Sequence, residues 1–168
     1  GEACIAGGYS GTPGDSHYKS FIYATNNGGD AWFGPIQPTL PKNFASSQIK
    51  AVSYSKKGYR CLAVGKGNVR DVAAAHSSYS TVAIAYRSSD CISWNSAPVI
   101  VRPDGKKSVF NAISCDESGR YCLAVGKILD DFSLFSAQTE NYGKDWSITS
   151  PPRPYQYSNM AFSNVSCS

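Results

Sequence analysis

The chain is poor in what most functional classes require. It has one methionine and two histidines, and no apolar run approaches the ~20 residues of a membrane-spanning helix. None of its apolar runs has the length and 3.6-residue period of a helix. There is no CxxC pair, and both histidines are distant from any cysteine, so disulfides are favoured over zinc. Charged residues make up 17% and the net charge is +4, too mild a basic excess to point to nucleic acid. No signal-peptide pattern is present; in an exported protein that segment is expected to have been removed.

What is there is 168 residues, 42% of them hydrophobic, with eleven tyrosines and six cysteines. That length suits one domain with a core of its own, taken here as residues 1–168. Six cysteines in such a chain indicate an oxidising compartment, so a secreted, periplasmic or extracellular protein is expected. The apolar runs are about five or six residues long, the usual length of a strand.

These runs repeat. Phe110 to Trp146 reads as an apolar run (FNAISC), a turn (DESGR), a second run (YCLAVGK), a loop, a third run (FSLFSAQ) and a polar turn ending on Trp146. Leu62-Ala63-Val64-Gly65-Lys66 recurs as Leu123-Ala124-Val125-Gly126-Lys127. The repeats cover about 1–41, 49–107 and 109–154. A period of about 50 to 60 residues with four strands each is the pattern of propeller blades. The first copy lacks its first strand. Phe162-Ser163-Asn164-Val165-Ser166-Cys167, within a closing strand at 160–168, matches Phe110 to Cys115 and supplies it.

Each copy ends on one type of turn. Thr25, Asn27, Gly29 and Trp32 define the first, and Thr139, Asn141, Gly143 and Trp146 the last. The middle one, with Ser88, Asp90 and Trp94, is one residue short and has Cys91 where glycine is usual. Asn or Asp bonds nearby backbone, Gly supplies positive φ, and Trp offers a large ring to bury. These turns resemble the Asp-box of BNR-like β-propellers, the superfamily that includes sialidases and small lectins. The resemblance implies an all-β propeller with structural box residues. Three blades are too few to enclose a channel, so the first expectation is a half-propeller, with two copies making a six-bladed homodimer; the alternatives are a piece of a longer propeller and a flattened form closed by one chain.

The repeat also orders the cysteines. Cys115 and Cys122 flank one hairpin turn and are expected to pair. Tyr54 stands where Cys115 would be in the middle copy, which leaves Cys61 to pair with Cys91. Cys4 and Cys167 remain, and in a dimer they would bridge the two chains.

Strand alternation places the candidate ligand face at the loops after each second strand and at the linkers between blades. It offers Asp15, His17 and Tyr18; Arg70, Asp71, His76 and Tyr79; Asp130 and Asp131; and Arg102, Arg153 and Tyr155 from the linkers. A sialidase would need three arginines, a Tyr–Glu pair and an acid on this face. The glutamates, Glu2, Glu117 and Glu140, are all elsewhere, and Arg60, Arg87 and Arg120 belong to the opposite turns. A glycosidase pair would have to come from Asp71 with Asp130 or Asp131, and no GxSxG elbow occurs. The expectation is a non-enzymatic binding module without metal or cofactor. Carbohydrate is the first expected ligand, by fold-level analogy with lectins, and a protein partner the second. The three loops differ in length and content, which counts against one sugar pocket per blade and leaves the protein partner close behind. The sequon Asn164-Val165-Ser166 falls in the expected closing strand, where glycosylation is not expected.

Overall fold

The computed structural model describes residues 3–12, 17–57, 59–71, 78–94, 98–101, 103–149, 151 and 160–167, without the side chains of 71 and 103. It is all-β, with three antiparallel sheets. The first contains β1 (Cys4–Ser10), β2 (Lys19–Thr25) and β3 (Phe33–Ile36). The second contains β4 (Phe44–Ser55), β5 (Arg60–Asp71), β6 (Ser78–Ser88) and β7 (Val99–Val101). The third contains β8 (Ser108–Cys115), β9 (Cys122–Ile128), β10 (Leu134–Thr139) and β11 (Ser147–Thr149). Each sheet is a meander in which consecutive strands are neighbours, as short apolar runs joined by Gly-, Asn- and Asp-rich turns dictate.

The middle sheet is buried on both faces, and period-2 alternation sorts its side chains. Leu62 and Val64 enter a core with Phe110, Ile113, Phe135 and Ala137 of the third sheet. Cys61 and Ala63, the intervening residues, enter a second core with Ile22, Ile49, Tyr86 and Trp94. Phe110 and Phe135 are fully buried and stack at 4.9 Å between centroids. Burial of each such ring contributes about 2 kcal/mol.

The strands of the middle sheet are longer than the sequence runs imply. β4 and β5 have 12 residues each and β6 has 11. Val69, Arg70 and Asp71 continue the ladder opposite Ser80, Tyr79 and Ser78. Arg70, Asp71 and Tyr79 therefore stand on strand ends and not in a loop, because β-branched Val69, Thr81 and Val82 favour extension of the hairpin.

Two glycines explain how the first strands of the second and third sheets bend. β4 shifts register between Ile49 and Ala51, and β8 between Phe110 and Ala112. Gly65 and Gly126 lie opposite these bulges. A Cβ on either would stand 1.9 Å from the carbonyl oxygen of Gln48 or Val109, so only glycine fits.

Two disulfides form, Cys61–Cys91 and Cys115–Cys122, as the repeat implied. Cys4 and Cys167 are unbonded and exposed within one chain. The 160–167 segment is not strand-paired. It lies along the third sheet: Asn111 Nδ2 donates to the Phe162 carbonyl at 2.8 Å, and Cys167 N–H donates to Ser114 Oγ at 2.9 Å. Asn164 is exposed there.

Candidate functional site

The loops segregate to two ends of the sheets, as alternation requires. At one end, Arg70 N–H donates to the Asn43 carbonyl at 2.7 Å, Ser47 N–H to the Tyr18 carbonyl at 3.2 Å, and Leu129 N–H to the Lys107 carbonyl at 2.8 Å. This end holds the loop residues expected to bind ligand. Arg70 and Tyr79 are cross-strand partners and both exposed. Tyr18 packs edge-on against Tyr9 at 5.6 Å. His17 is exposed. Asp15, His76, Arg102, Arg153 and Tyr155 lie outside the described residues, as does the side chain of Asp71.

Asp130 and Asp131 both bond the linker before β8. Asp130 Oδ2 accepts from Lys107 N–H at 2.7 Å. Asp131 accepts from the Ser133 hydroxyl and amide and from Lys106 Nζ. The Ser133 hydroxyl, then Lys106, holds the Asp131 carboxyl down at about 2. Among the described residues no cluster of three or more His, Cys, Asp or Glu could hold a metal. Among them, too, no helix is long and apolar enough to cross a membrane.

A cleft of about 590 Å³ opens between the first strands. It is lined by Gly7, Gly8, Tyr9 and Phe21, by Ile49, Lys50 and Asn111, and by Ala161 to Ser163. Lys50 and Asn111 are the bulge residues of β4 and β8. Lys50 is held below the usual lysine range, by partial burial first and then by the charges of Lys66 and Lys127. The sequence reading missed this cleft. Its signal was the glycine at 65 and 126, which marks where a neighbouring strand bulges.

The other end carries the three repeated turns, which share one hydrogen-bond network. Thr25 Oγ1 donates to Asn27 Oδ1 and accepts from Gly29 N–H, and Asn27 Oδ1 accepts from Ala31 N–H. Thr139, Asn141, Gly143 and Asp145 repeat it. In the shorter middle turn Asp90 Oδ1 accepts from the Ser88 hydroxyl and from the amides of Ile92 and Ser93. These bonds, that from the Ser93 amide foremost, hold the Asp90 carboxyl well below its usual range. The tryptophans differ. Trp94 is 1% exposed and Trp146 packs against the core, but Trp32 is 46% exposed rather than buried between sheets.

Each turn region is also a seam. Between the second and third sheets, a pocket of about 170 Å³ is lined by Arg60, Cys61, Arg87, Ser88, Ser89, Ser93 and Tyr142. The corresponding pocket between the first and second sheets is about 150 Å³ and apolar, with Ala3 and Ala24 at the places of Arg60 and Arg87. The outer face of the third sheet has the same row of positions in Tyr121, Leu123, Gln138 and Glu140, joined there by Cys167 in a more open pocket of about 260 Å³.

Compared with family models, with curated proteins and with solved structures, the chain matches none.

Proposed function

We propose that the protein is an extracellular, non-enzymatic binding module, half of a six-bladed propeller that a second copy completes, and that its central cleft and the loops around it take a glycan. The observation that carries the ligand reading is the cleft between the first strands. Rings of Tyr9, Phe21 and Phe162 stand there beside the polar groups of Lys50 and Asn111, the flat apolar area with polar edges that suits a sugar. A glycan array tests it. Binding that Tyr9→Ala abolishes is expected, and no bound sugar on the wild-type array would contradict it.

The assembly reading rests on five glycines at repeated positions. Gly65 and Gly126 face bulges in β4 and β8. Gly8, their counterpart in β1, stands nearest to the Phe21 ring and not to a bulged backbone. The missing bulged strand matches 162–167, which would place Phe162 opposite Gly8 and Cys167 opposite Cys4. In the repeated turns, Gly143 packs on Leu62, where a Cβ would stand 2.3 Å from its methyl group, whereas Gly29 meets nothing nearer than Trp32 at 3.9 Å. Leu123, the counterpart of Leu62, lines the open third face. A second copy would seat its first sheet there, burying Trp32 and Phe33, which is 50% exposed. In each Cys4–Cys167 bridge two thiols would lose two protons and two electrons to a disulfide oxidant, such as glutathione disulfide, which leaves as two thiols.

A further inference from the structure

The pocket between the second and third sheets differs from its two counterparts in carrying two guanidinium groups. Arg60 opens β5, and Arg87 lies in β6 directly across from Leu62. Residues two apart on a strand share a face, as do residues directly opposite. Arg60, Leu62 and Arg87 therefore all face the third sheet. Arg60 is also held in place, and Arg87 stands beside the turn that closes the seam. The Arg60 guanidinium lies 4.2 Å from the centroid of the Tyr142 ring. Gly143 closes over Leu62 and comes within 3.8 Å of the Arg87 Cβ, measured from an ideal Cβ on the glycine.

The surroundings are rigid. The Cys61–Cys91 disulfide ties β5 to the middle turn. Asp90 locks Ser88, Ile92 and Ser93 in place. The turn at Tyr142 is held from the other side, since Tyr142 N–H donates to the Arg120 carbonyl at 3.2 Å and Arg120 Nε donates to the Glu140 carbonyl at 3.0 Å. Among the described residues the ion pairs are Lys57–Glu117 and Lys106–Asp131, and neither involves Arg60 or Arg87. Two arginines with no carboxylate partner among the described residues, Arg60 held on the Tyr142 ring and Arg87 lining the same pocket with Ser89 and Ser93, form a receptor for an oxyanion. The guanidinium fork matches a carboxylate or sulfate bidentately and is already charged at any working pH.

We infer that this pocket is a second ligand site that takes the carboxylate of an acidic sugar, on the end of the molecule opposite the loops around the cleft. At about 170 Å³ it is smaller than the roughly 300 Å³ where drug-sized sites begin. It suits one charged group with part of the ring that bears it, and not an extended oligosaccharide. The choice of sugar over another carboxylate rests on the glycan reading of the protein. The site itself rests on the arginines.

The test is a titration of the ¹⁵N-labelled whole protein by NMR with glucuronate, inorganic sulfate and glucose at low ionic strength. Glucuronate is expected to shift the amides of Ser89, Ser93 and Tyr142 saturably and to bind more tightly than sulfate, with glucose silent. Arg87→Gln and Arg60→Gln should each weaken glucuronate at least tenfold, with Arg87→Lys recovering only part of the loss. Lys57→Gln, on the same end but ion-paired to Glu117, should change it less than twofold. Far-UV circular dichroism and thermal unfolding show whether each variant is folded. No shift with glucuronate, sulfate binding alone, or a folded Arg87→Gln that titrates like wild type would overturn the site. The cleft reading fails separately, on the Tyr9→Ala array result.

Discussion

The two seams that flank the middle sheet are built from corresponding positions, yet one is apolar and the other cationic. In the first, Ala3, Ile5 and Ala24 of one sheet meet Cys91 and Ile92 of the next turn. In the second, Arg60, Leu62 and Arg87 meet Tyr142 and Gly143. The backbone frame is shared, down to the register that sets Ile5 opposite Ala24 and Leu62 opposite Arg87. What differs is whether the corner positions are filled with methyl groups or with guanidinium groups. The first seam does packing work alone. The second keeps its packing in Leu62 and Gly143 and adds unpaired charge at the rim, which packing does not require. The third face extends the comparison, since it has Leu123 in place but, among the described residues, no turn over it.

The largest effect is expected where the second seam is locked covalently. The Cys61–Cys91 bridge spans 30 residues and Cys115–Cys122 spans 7. The loop-entropy relation gives about 3.5 kcal/mol for the first and about 2.5 kcal/mol for the second. Denaturant unfolding of C61A/C91A and C115A/C122A should reproduce that order, and a reversed order would show that the middle turn is not a structural anchor.

Next comes the pair of glycines. Gly143→Ala forces a Cβ into Leu62 at a residue with φ of +75°. Left-handed strain and overpacking together should cost about 3 kcal/mol. Gly29→Ala, at φ of +105° with open space, should cost one chain only about 1 kcal/mol of backbone strain. It should nevertheless break the proposed dimer. Equal losses in the isolated chain would remove the distinction between a filled and an open seam.

Tyr86 tests the apolar core beneath the first seam. It is 1% exposed, and burial pushes its hydroxyl up to about 12 from 10.0. The folded state resists ionisation more than the unfolded state does. Stability should therefore be whole below pH 10 and fall as pH rises from 10 towards 12, by about 2.7 kcal/mol in all. Tyr86→Phe should flatten that decline.

The smallest change is expected for Asp90→Ala, which removes an acceptor from the Ile92 and Ser93 amides at the surface. About 1 kcal/mol is expected, read as a lower denaturation midpoint, together with weaker glucuronate binding as Ser93 loosens.

The repeat made much of the fold legible. Near-identical Leu-Ala-Val-Gly-Lys runs marked β5 and β9, and the position of Tyr54 opposite Cys61 directed that cysteine to Cys91. Candidate sites were less legible. Arg60 and Arg87 are far apart in sequence and meet only through strand register and a turn donated by another sheet. Lys50 and Asn111 reach the cleft because bulges turn them there, which composition does not reveal. Trp32 looks like Trp94 in sequence, yet it is exposed in the single chain where Trp94 is buried.

The central claim is that the third face is closed by the first sheet of another copy. The direct measurement is to refold an equal mixture of ¹⁴N- and ¹⁵N-labelled protein under a glutathione redox buffer, then identify the peptides that link Cys4 to Cys167 by mass spectrometry. The account expects mixed-isotope linked peptides making up about half of the total, from a species of twice the chain mass. Links of a single isotope only, or free thiols at both cysteines, would contradict it.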